Sequence, residues 1–303
     1  MKILSALIVS ALTVCLMNLL AGSPVSAGGP RIIYERDSLY HHITITQSDS
    51  ELCMLFGRYK DRRQTCLNRI DPDIPVLEYT AMMFVGFVHR PDTKTAALIG
   101  LGGGYMPLIF REYLPHVELD VIEVDKKVVE LAKEYFGFRE TDTVRLTIAD
   151  GRQYLKKTPR LYDQIWLDAY NGDYIPVHLT TREFLRTTKA RLHKNGVVVA
   201  NVHNGSQLFD AQVMTFRSVF TSVFVYNGTE NGNSIIVATE NSDSEPTDIV
   251  HNALQFGGRI GMIELRAQME KYTPNPALKE TRILTDDYNP ANLLHHRKKG
   301  GKR

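Results

Sequence analysis

Apolar and polar positions follow two different periods along the chain. Residues 40–46, Tyr-His-His-Ile-Thr-Ile-Thr, alternate with a period of two and predict a strand. Residues 51–57 and 64–68 are two more strand-like runs, and the charged stretch 58–63 between them predicts a hairpin centred between Tyr59 and Lys60. Residues 76–88 predict a buried helix. Beyond Pro91-Asp92 the pattern becomes strand then helix, repeated. Strands are expected at 96–100, 119–124, 144–148, 162–167 and 197–202, with helices at 105–114, 126–136, 152–157 and 180–192. Such alternation predicts a mainly parallel sheet covered on both faces. Residues 222–226 and 234–238, joined by the turn-rich Asn227-Gly-Thr-Glu-Asn-Gly-Asn233, predict a hairpin that closes the sheet with an antiparallel edge. Residues 241–248 form a polar linker, and 249–272 predict one or two helices. There are no internal repeats. The fold class is α/β, with a small β-rich domain at 31–90 ahead of an α/β domain at 91–294.

The two ends differ from this body. Lys2 followed by the almost wholly apolar residues 3–21, with Val25-Ser26-Ala27 ahead of Gly28-Gly29-Pro30, predicts a signal peptide over 1–27. The alternative is an uncleaved anchor, because the apolar stretch approaches the roughly 18–20 residues that span a bilayer. Asn18 and the Gly22-Ser23-Pro24 break favour cleavage. A bacterial periplasmic or secreted location is therefore expected, with membrane attachment only if the segment is retained. Residues 295–303, His-His-Arg-Lys-Lys-Gly-Gly-Lys-Arg, are too polar to pack and predict a disordered basic tail.

Composition changes the picture in three ways. The 303 residues carry 36 Lys and Arg against 34 Asp and Glu, a formal charge of +2, and 43% are hydrophobic. That excludes a disordered tail protein, a collagen or a disulfide-dense miniprotein. Without Lys2 and the five basic residues of the tail, 30 basic side chains face 34 acidic ones, a net of −4. An acidic body suits cationic small molecules and argues against nucleic acid. Of the three cysteines, Cys15 leaves with a cleaved signal; the hairpin would set Cys53 opposite Cys66, either as a cross-strand disulfide or as two buried thiols. No His or Cys set has metal-ligand spacing, so no metal is expected.

Candidate chemistry gathers at the carboxyl ends of the expected strands. Leu98-Ile-Gly-Leu-Gly-Gly-Gly104 follows a strand and opens a helix, so its glycines admit close approach of a ligand to the backbone. Alone this is compatible with NAD, FAD or S-adenosyl nucleosides. Glu123 ends the next strand, 23 residues beyond Gly100, where an acid accepts from both ribose hydroxyls. Asp125 reads as a helix N-cap. Asp150 with Gly151 ends the third strand, where a nucleoside would present its adenine amino group. Asp168 ends the fourth and leads into Ala-Tyr-Asn-Gly-Asp-Tyr-Ile-Pro176. Acids and glycines at four strand ends converge on one crevice.

The order GxGGG, IEVD, ADG, LDAY, followed by Ile175-Pro-Val-His-Leu-Thr-Thr181 and Glu183-Phe184, resembles the spermidine synthase (polyamine aminopropyltransferase) family, in particular the spermidine synthase-like proteins of bacteria. The resemblance covers roughly residues 38–240, and 284–290 is similar to a C-terminal motif of that subgroup. It implies a Rossmann-like, methyltransferase-type sheet behind a small β-rich domain. It also implies transfer of an aminopropyl group from decarboxylated S-adenosylmethionine, a donor substrate and no permanent cofactor, to an amine in polyamine biosynthesis, and a possible homodimer. By the same resemblance Gly100, Gly102 and Gly104 match the donor loop, Glu123 the ribose acid, Asp150 and Gly151 the adenine pair, Asp168 the first catalytic acid, and Pro176 the loop proline.

Several positions depart from the family pattern. The second catalytic acid falls on Asn171, which takes no proton at neutral pH. The acid after the glycine triplet is Tyr105, the acceptor-site His after Tyr79 is Thr80, and the donor-binding Gln is His41. Asp173, Asp286 and Asp287 are candidates to supply the missing carboxylate; His178 and His203 also lie near strand or loop ends. The nucleoside half is thus expected intact and the amine half altered. Two alternatives stand beside aminopropyl transfer: an S-adenosylmethionine-dependent methyltransferase, and a non-catalytic nucleoside-binding relative.

Overall fold

The computed structural model describes residues 29–57, 63–170, 175–230, 232–241, 252 and 258–290. The expected signal segment, the basic tail, Asn171 and Asp173 lie outside the described residues. No helix among the described residues is long and apolar enough to cross a membrane.

A four-stranded sheet comes first, in the order β1 (Arg31–Asp37), β2 (His42–Gln47), β3 (Glu51–Phe56), β4 (Arg63–Asn68). Pairing is antiparallel from β2 to β3 and from β3 to β4. The alternation in β2 buries Ile43 and Ile45 completely, and with Met54 and Phe56 they pack on Val128, Leu131 and Phe136 of the α/β body. Cys53 pairs with Cys66 in the β3–β4 register and the two form a disulfide. A cross-link over a loop of this length removes unfolded-state entropy worth about 2–4 kcal/mol.

The second sheet has seven strands: β5 (Thr95–Ile99), β6 (Glu118–Glu123), β7 (Val144–Ile148), β8 (Tyr162–Leu167), β9 (Leu192–His203), β10 (Ser222–Asn227) and β11 (Asn233–Thr239). Their order is β10-β11-β9-β8-β5-β6-β7. Strands β5 to β9 pair in parallel, and β11 runs antiparallel to both β9 and β10, so the edge hairpin is as expected. The chain leaves β5 toward β6 and β7 on one side and returns to β8 and β9 on the other. That reversal opens a crevice at the carboxyl end of β5.

Helices follow the strands: α3 (Tyr105–Tyr113), α4 (Lys126–Tyr135), α5 (Gly151–Lys157), α6 (Arg182–Lys189) and α7 (Phe209–Arg217). Helix α4 shows why they form where they do. Asp125 caps it by accepting from the Lys127 N–H at 2.9 Å, and Val128, Val129, Leu131 and Ala132 make one buried stripe. Trp166 of β8 centres the core, with the rings of Phe84 and Phe110 edge-on at 4.9 and 5.3 Å. Its indole N–H donates to the buried Gln164 at 2.8 Å, so that polar side chain is satisfied.

The structure corrects four expectations. The single helix over 76–88 is two short ones, α1 (Glu78–Met83) and α2 (Gly86–His89). The break falls at Phe84–Val85, and the second helix opens on Gly86, where a Cβ would stand 2.4 Å from Gln164 Oε1 and 2.6 Å from Val199. The helix expected over 180–192 is shorter: it starts after Thr181, which caps α6 by accepting from Phe184 N, and ends at Lys189, with a 3₁₀ turn at Val177–Leu179 ahead of it and Leu192 already in β9. Strand β1 and helix α7 were not expected. In the 249–272 segment the described part holds a small hairpin, β12 (Arg259–Ile260) with β13 (Ile263–Glu264), and α8 (Leu265–Met269).

Candidate active site

The carboxyl end of β5 is bonded to the strands on both sides. Gly100 N–H donates to Ile122 O of β6 at 2.8 Å, and Asp168 N–H after β8 donates to Ile99 O at 2.9 Å. Gly100 has φ +103°, and a Cβ on it would lie 2.3 Å from the Asp168 carbonyl oxygen. Only glycine permits this approach. The loop that follows opens a cavity of about 250 Å³ whose walls include Gly100, Gly102, Glu123, Asp150, Gly151 and Asp168. Tyr79, Thr80, Tyr105, Pro176, His41 and His178 also line it.

Gly104 is a correction: it caps α3 with φ +83°, packs against Phe138 and is not among the lining residues. Its role in the structure is to turn the chain into the helix. Gly151 lies over β5, where a Cβ would stand 2.3 Å from Ile99 Cγ2.

Glu123 is buried, and burial pushes its carboxyl upward. Its two oxygens accept the Leu101 and Asp125 N–H groups at 2.9 Å each, which ties the glycine loop to β6. Asp125 is the N-cap the sequence suggests, and its other oxygen meets Ser38 and His41 Nδ1, the latter at 3.1 Å. The His41 ring stacks on Phe56 at 4.1 Å, so the first sheet contributes a wall to the cavity. Asp150 caps α5 at Gln153 N, 2.8 Å, and its second oxygen lies 2.7 Å from His178 Nε2.

Asp168 sits on the opposite flank of β5. Two strand spacings, about 10 Å, separate the ends of β6 and β8. Its Oδ1 accepts from Asn201 Nδ2 at 2.9 Å, and its Oδ2 accepts a long 3.5 Å contact from the Tyr79 hydroxyl. Enclosure in the cavity pushes the Asp168 carboxyl up to about 7, against the pull of the Asn201 and Tyr79 donors. The single Tyr79 proton is shared between the long Asp168 contact and Gln64 O, the nearer acceptor at 2.8 Å, and burial beside Asp168 holds its hydroxyl protonated. The Tyr170 hydroxyl is buried with no hydrogen-bond partner among the described residues. Tyr105 donates to Asp73 O at 2.9 Å.

Asp286 and Asp287 are further corrections. Asp286 accepts a bidentate pair from Arg152 at 2.8 and 2.5 Å, plus Thr181 Oγ1 at 2.7 Å. The Arg152 guanidinium holds its carboxyl down at about 2, so it is a clip between the C-terminal segment and α5. Asp287 is exposed, and neither lines the cavity. His203 is not a lining residue either. Sequence reasoning missed Asn201, Gln64 and Tyr170. Asn201 was detectable in principle as the polar residue in Val197-Val-Val-Ala-Asn-Val202, near the carboxyl end of a buried strand.

Acids at the strand ends, a glycine loop at the switch point and an enclosed carboxylate define a small-molecule site on a Rossmann-like sheet. Comparison with known proteins narrows this further. Residues 77–226 match the spermine/spermidine synthase domain. A polyamine aminopropyltransferase of Vibrio vulnificus is 34% identical over 283 residues, covering 90% of this chain and 94% of the relative. The chain belongs to the spermine/spermidine synthase family, and its relatives of that name are transferases of polyamine biosynthesis. Among solved structures, spermidine synthase in complex with the transition-state analogue AdoDATO superposes with a TM-score of 0.65 at 24% identity, over 81% of this chain and 86% of that one. Human methyltransferase-like protein 13 in complex with SAH does so at 0.55 and 21%, over 72% and 100%. These two likenesses concern the fold.

Proposed function

We propose that the protein transfers the aminopropyl group of decarboxylated S-adenosylmethionine to an amine, with Asp168 as the proton acceptor. The observation that carries this reading is the enclosed Asp168 carboxylate, one flank of β5 away from the acids that suit a nucleoside. Gly100, Gly102 and Gly151 supply backbone against the donor. The free lone pairs of Glu123 accept the ribose hydroxyls, and Asp150 takes the adenine amino group. Pro176 and His41 close the cavity around the nucleoside.

The sulfonium is already a good leaving group, so the protein's task is to hold a neutral amine in line with the carbon next to sulfur. An acceptor ammonium has no lone pair. Asp168, with a pKa near working pH, accepts its proton; the nitrogen attacks, the C–S bond breaks, and its electrons stay on sulfur as methylthioadenosine. Tyr79 and the Tyr170 hydroxyl, which has no partner among the described residues, offer neutral hydrogen bonds beside the developing charge. Asn171 cannot replace the family's second acid, which leaves this step to Asp168 among the described residues.

Purified protein with decarboxylated S-adenosylmethionine and an amine pool is expected to release methylthioadenosine. Release of S-adenosylhomocysteine from S-adenosylmethionine, with no methylthioadenosine from the decarboxylated donor, would favour the methyltransferase instead. Glu123→Gln is expected to weaken donor binding about tenfold by calorimetry, since charge-assisted bonds exceed neutral ones by about 1–1.5 kcal/mol. Unchanged affinity would favour a site that does not hold a ribose there.

We also propose that the chain is exported. Lys2, the apolar residues 3–21 and the small residues before Gly28 support this, as does the Cys53–Cys66 disulfide, which suits an oxidising compartment. Intact mass of protein from cell fractions is expected to show a chain beginning at Gly28 with the disulfide closed. A full-length cytosolic chain with two free thiols would overturn it.

A further inference from the structure

The turn between β10 and β11, taken with Asn233 where β11 begins, has no part in the chemistry described above, yet it is bonded to both flanks of Asp168. On one flank, Asn233 Nδ2 donates to Asn201 Oδ1 at 2.9 Å. In this pair the Asn201 oxygen accepts, and its NH₂ faces Asp168 Oδ1. On the other flank, Glu78 accepts the Thr229 and Glu230 N–H groups at 2.9 Å each and the Thr229 hydroxyl at 3.0 Å. Lys271 completes the Glu78 cluster. Glu78 is the first residue of α1 and directly precedes Tyr79, whose hydroxyl meets Asp168 Oδ2. One turn therefore grips the residue before Tyr79 and, through Asn201, the carboxylate that Tyr79 touches.

We infer that Asn201 and Asn233 are positioning residues for Asp168, and that the β10–β11 turn braces Asp168 and Tyr79 in register for proton transfer. With Oδ1 held by Asn201, the Asp168 carboxylate keeps one rotamer, and Oδ2 is the oxygen presented beside Tyr79. Asn201 also donates to the ionised form, so it favours the base that accepts a proton. The titratable groups facing Asp168 are Tyr79 from α1 and Tyr170 from its own loop. No charged side chain among the described residues does so, which leaves the Asn201 amide as the main polar counterweight to burial. The inference rests on Asp168 being the base, as proposed above.

The test follows the Asp168 carboxyl directly by ¹³C NMR titration in the wild type, in Asn201→Leu, which fills the same space without a donor, and in the gentler Asn233→Ala. The midpoint is expected to rise by about one pH unit, a tenfold change in the ionisation constant, in Asn201→Leu, and by less in Asn233→Ala. In turnover, kcat of Asn201→Leu is expected to fall about tenfold at pH 6 and to recover as pH rises past 8, with donor KM unchanged. A purely structural asparagine would lower activity equally at every pH. An unmoved Asp168 midpoint in both variants overturns the inference. Absence of turnover in the wild type with the midpoint still moving would instead sink the transferase reading and leave the positioning role standing.

Discussion

Asp168→Asn is expected to lower methylthioadenosine release about a thousandfold, with donor affinity within about twofold of wild type. General-base groups contribute about 10²–10⁴ in rate, and the isosteric amide keeps the cavity's shape while losing the ability to take a proton. In the wild type the base must be ionised, so kcat is expected to rise with pH through about 7, where burial places this carboxyl. Stability should run the other way. The unfolded Asp releases its proton near pH 3.9, whereas the folded one keeps it until about 7, so across that window the native state binds more protons and loses stability as pH rises. Asp168→Asn lacks this penalty, so its melting temperature relative to wild type is expected to be higher at pH 8 than at pH 4. A variant that kept its activity, or lost activity together with stability at all pH values, would remove Asp168 from the role of base.

Gly100→Ala is expected to cost about 3 kcal/mol or more and to abolish donor binding. Two costs add. The left-handed φ of +103° strains any L side chain by about 1–3 kcal/mol, and the new methyl would meet the Asp168 carbonyl at 2.3 Å. That carbonyl is main chain, held by the β5–β8 pairing, and cannot rotate away as a side chain would. Gly137→Ala is the control, because its φ is also positive, +71°, but nothing lies within 4 Å of the added carbon. It should cost only about 1 kcal/mol. For a domain of this size the difference amounts to roughly 4–8 °C in melting temperature. Equal shifts in the two variants would mean that strain alone, and not the contact between β5 and the Asp168 segment, fixes the loop.

Much of the nucleoside half was readable along the chain because its signals are local. A glycine run after an apolar strand, or an acid at a strand's carboxyl end, states its own geometry within a few residues, and so Gly100, Glu123, Asp150 and Asp168 all line the cavity. The amine half was not readable in this way. Asp286 looks like an available acid in sequence, and only folding brings Arg152, 134 residues away, into a bidentate grip on it. Gly104 resembles its two loop companions in sequence, but helix α3 begins there and turns it against Phe138 instead of the cavity.

By itself the sequence determined the α/β order, the edge hairpin, the opposition of Cys53 and Cys66 and the acids at the strand ends, since each follows from periodicity and short-range chemistry. The tertiary structure decided which of those acids retains an oxygen for a substrate. Hydrogen bonds from chain-distant partners consume Asp286 in Arg152 and Thr181, and anchor Glu123 to the glycine loop. Burial raises the Asp168 carboxyl to about 7, and the donors that pull it back, Tyr79 and Asn201, lie 89 and 33 residues away. Burial and long-range pairing set a carboxylate's proton affinity, and neither is encoded in the few residues around it.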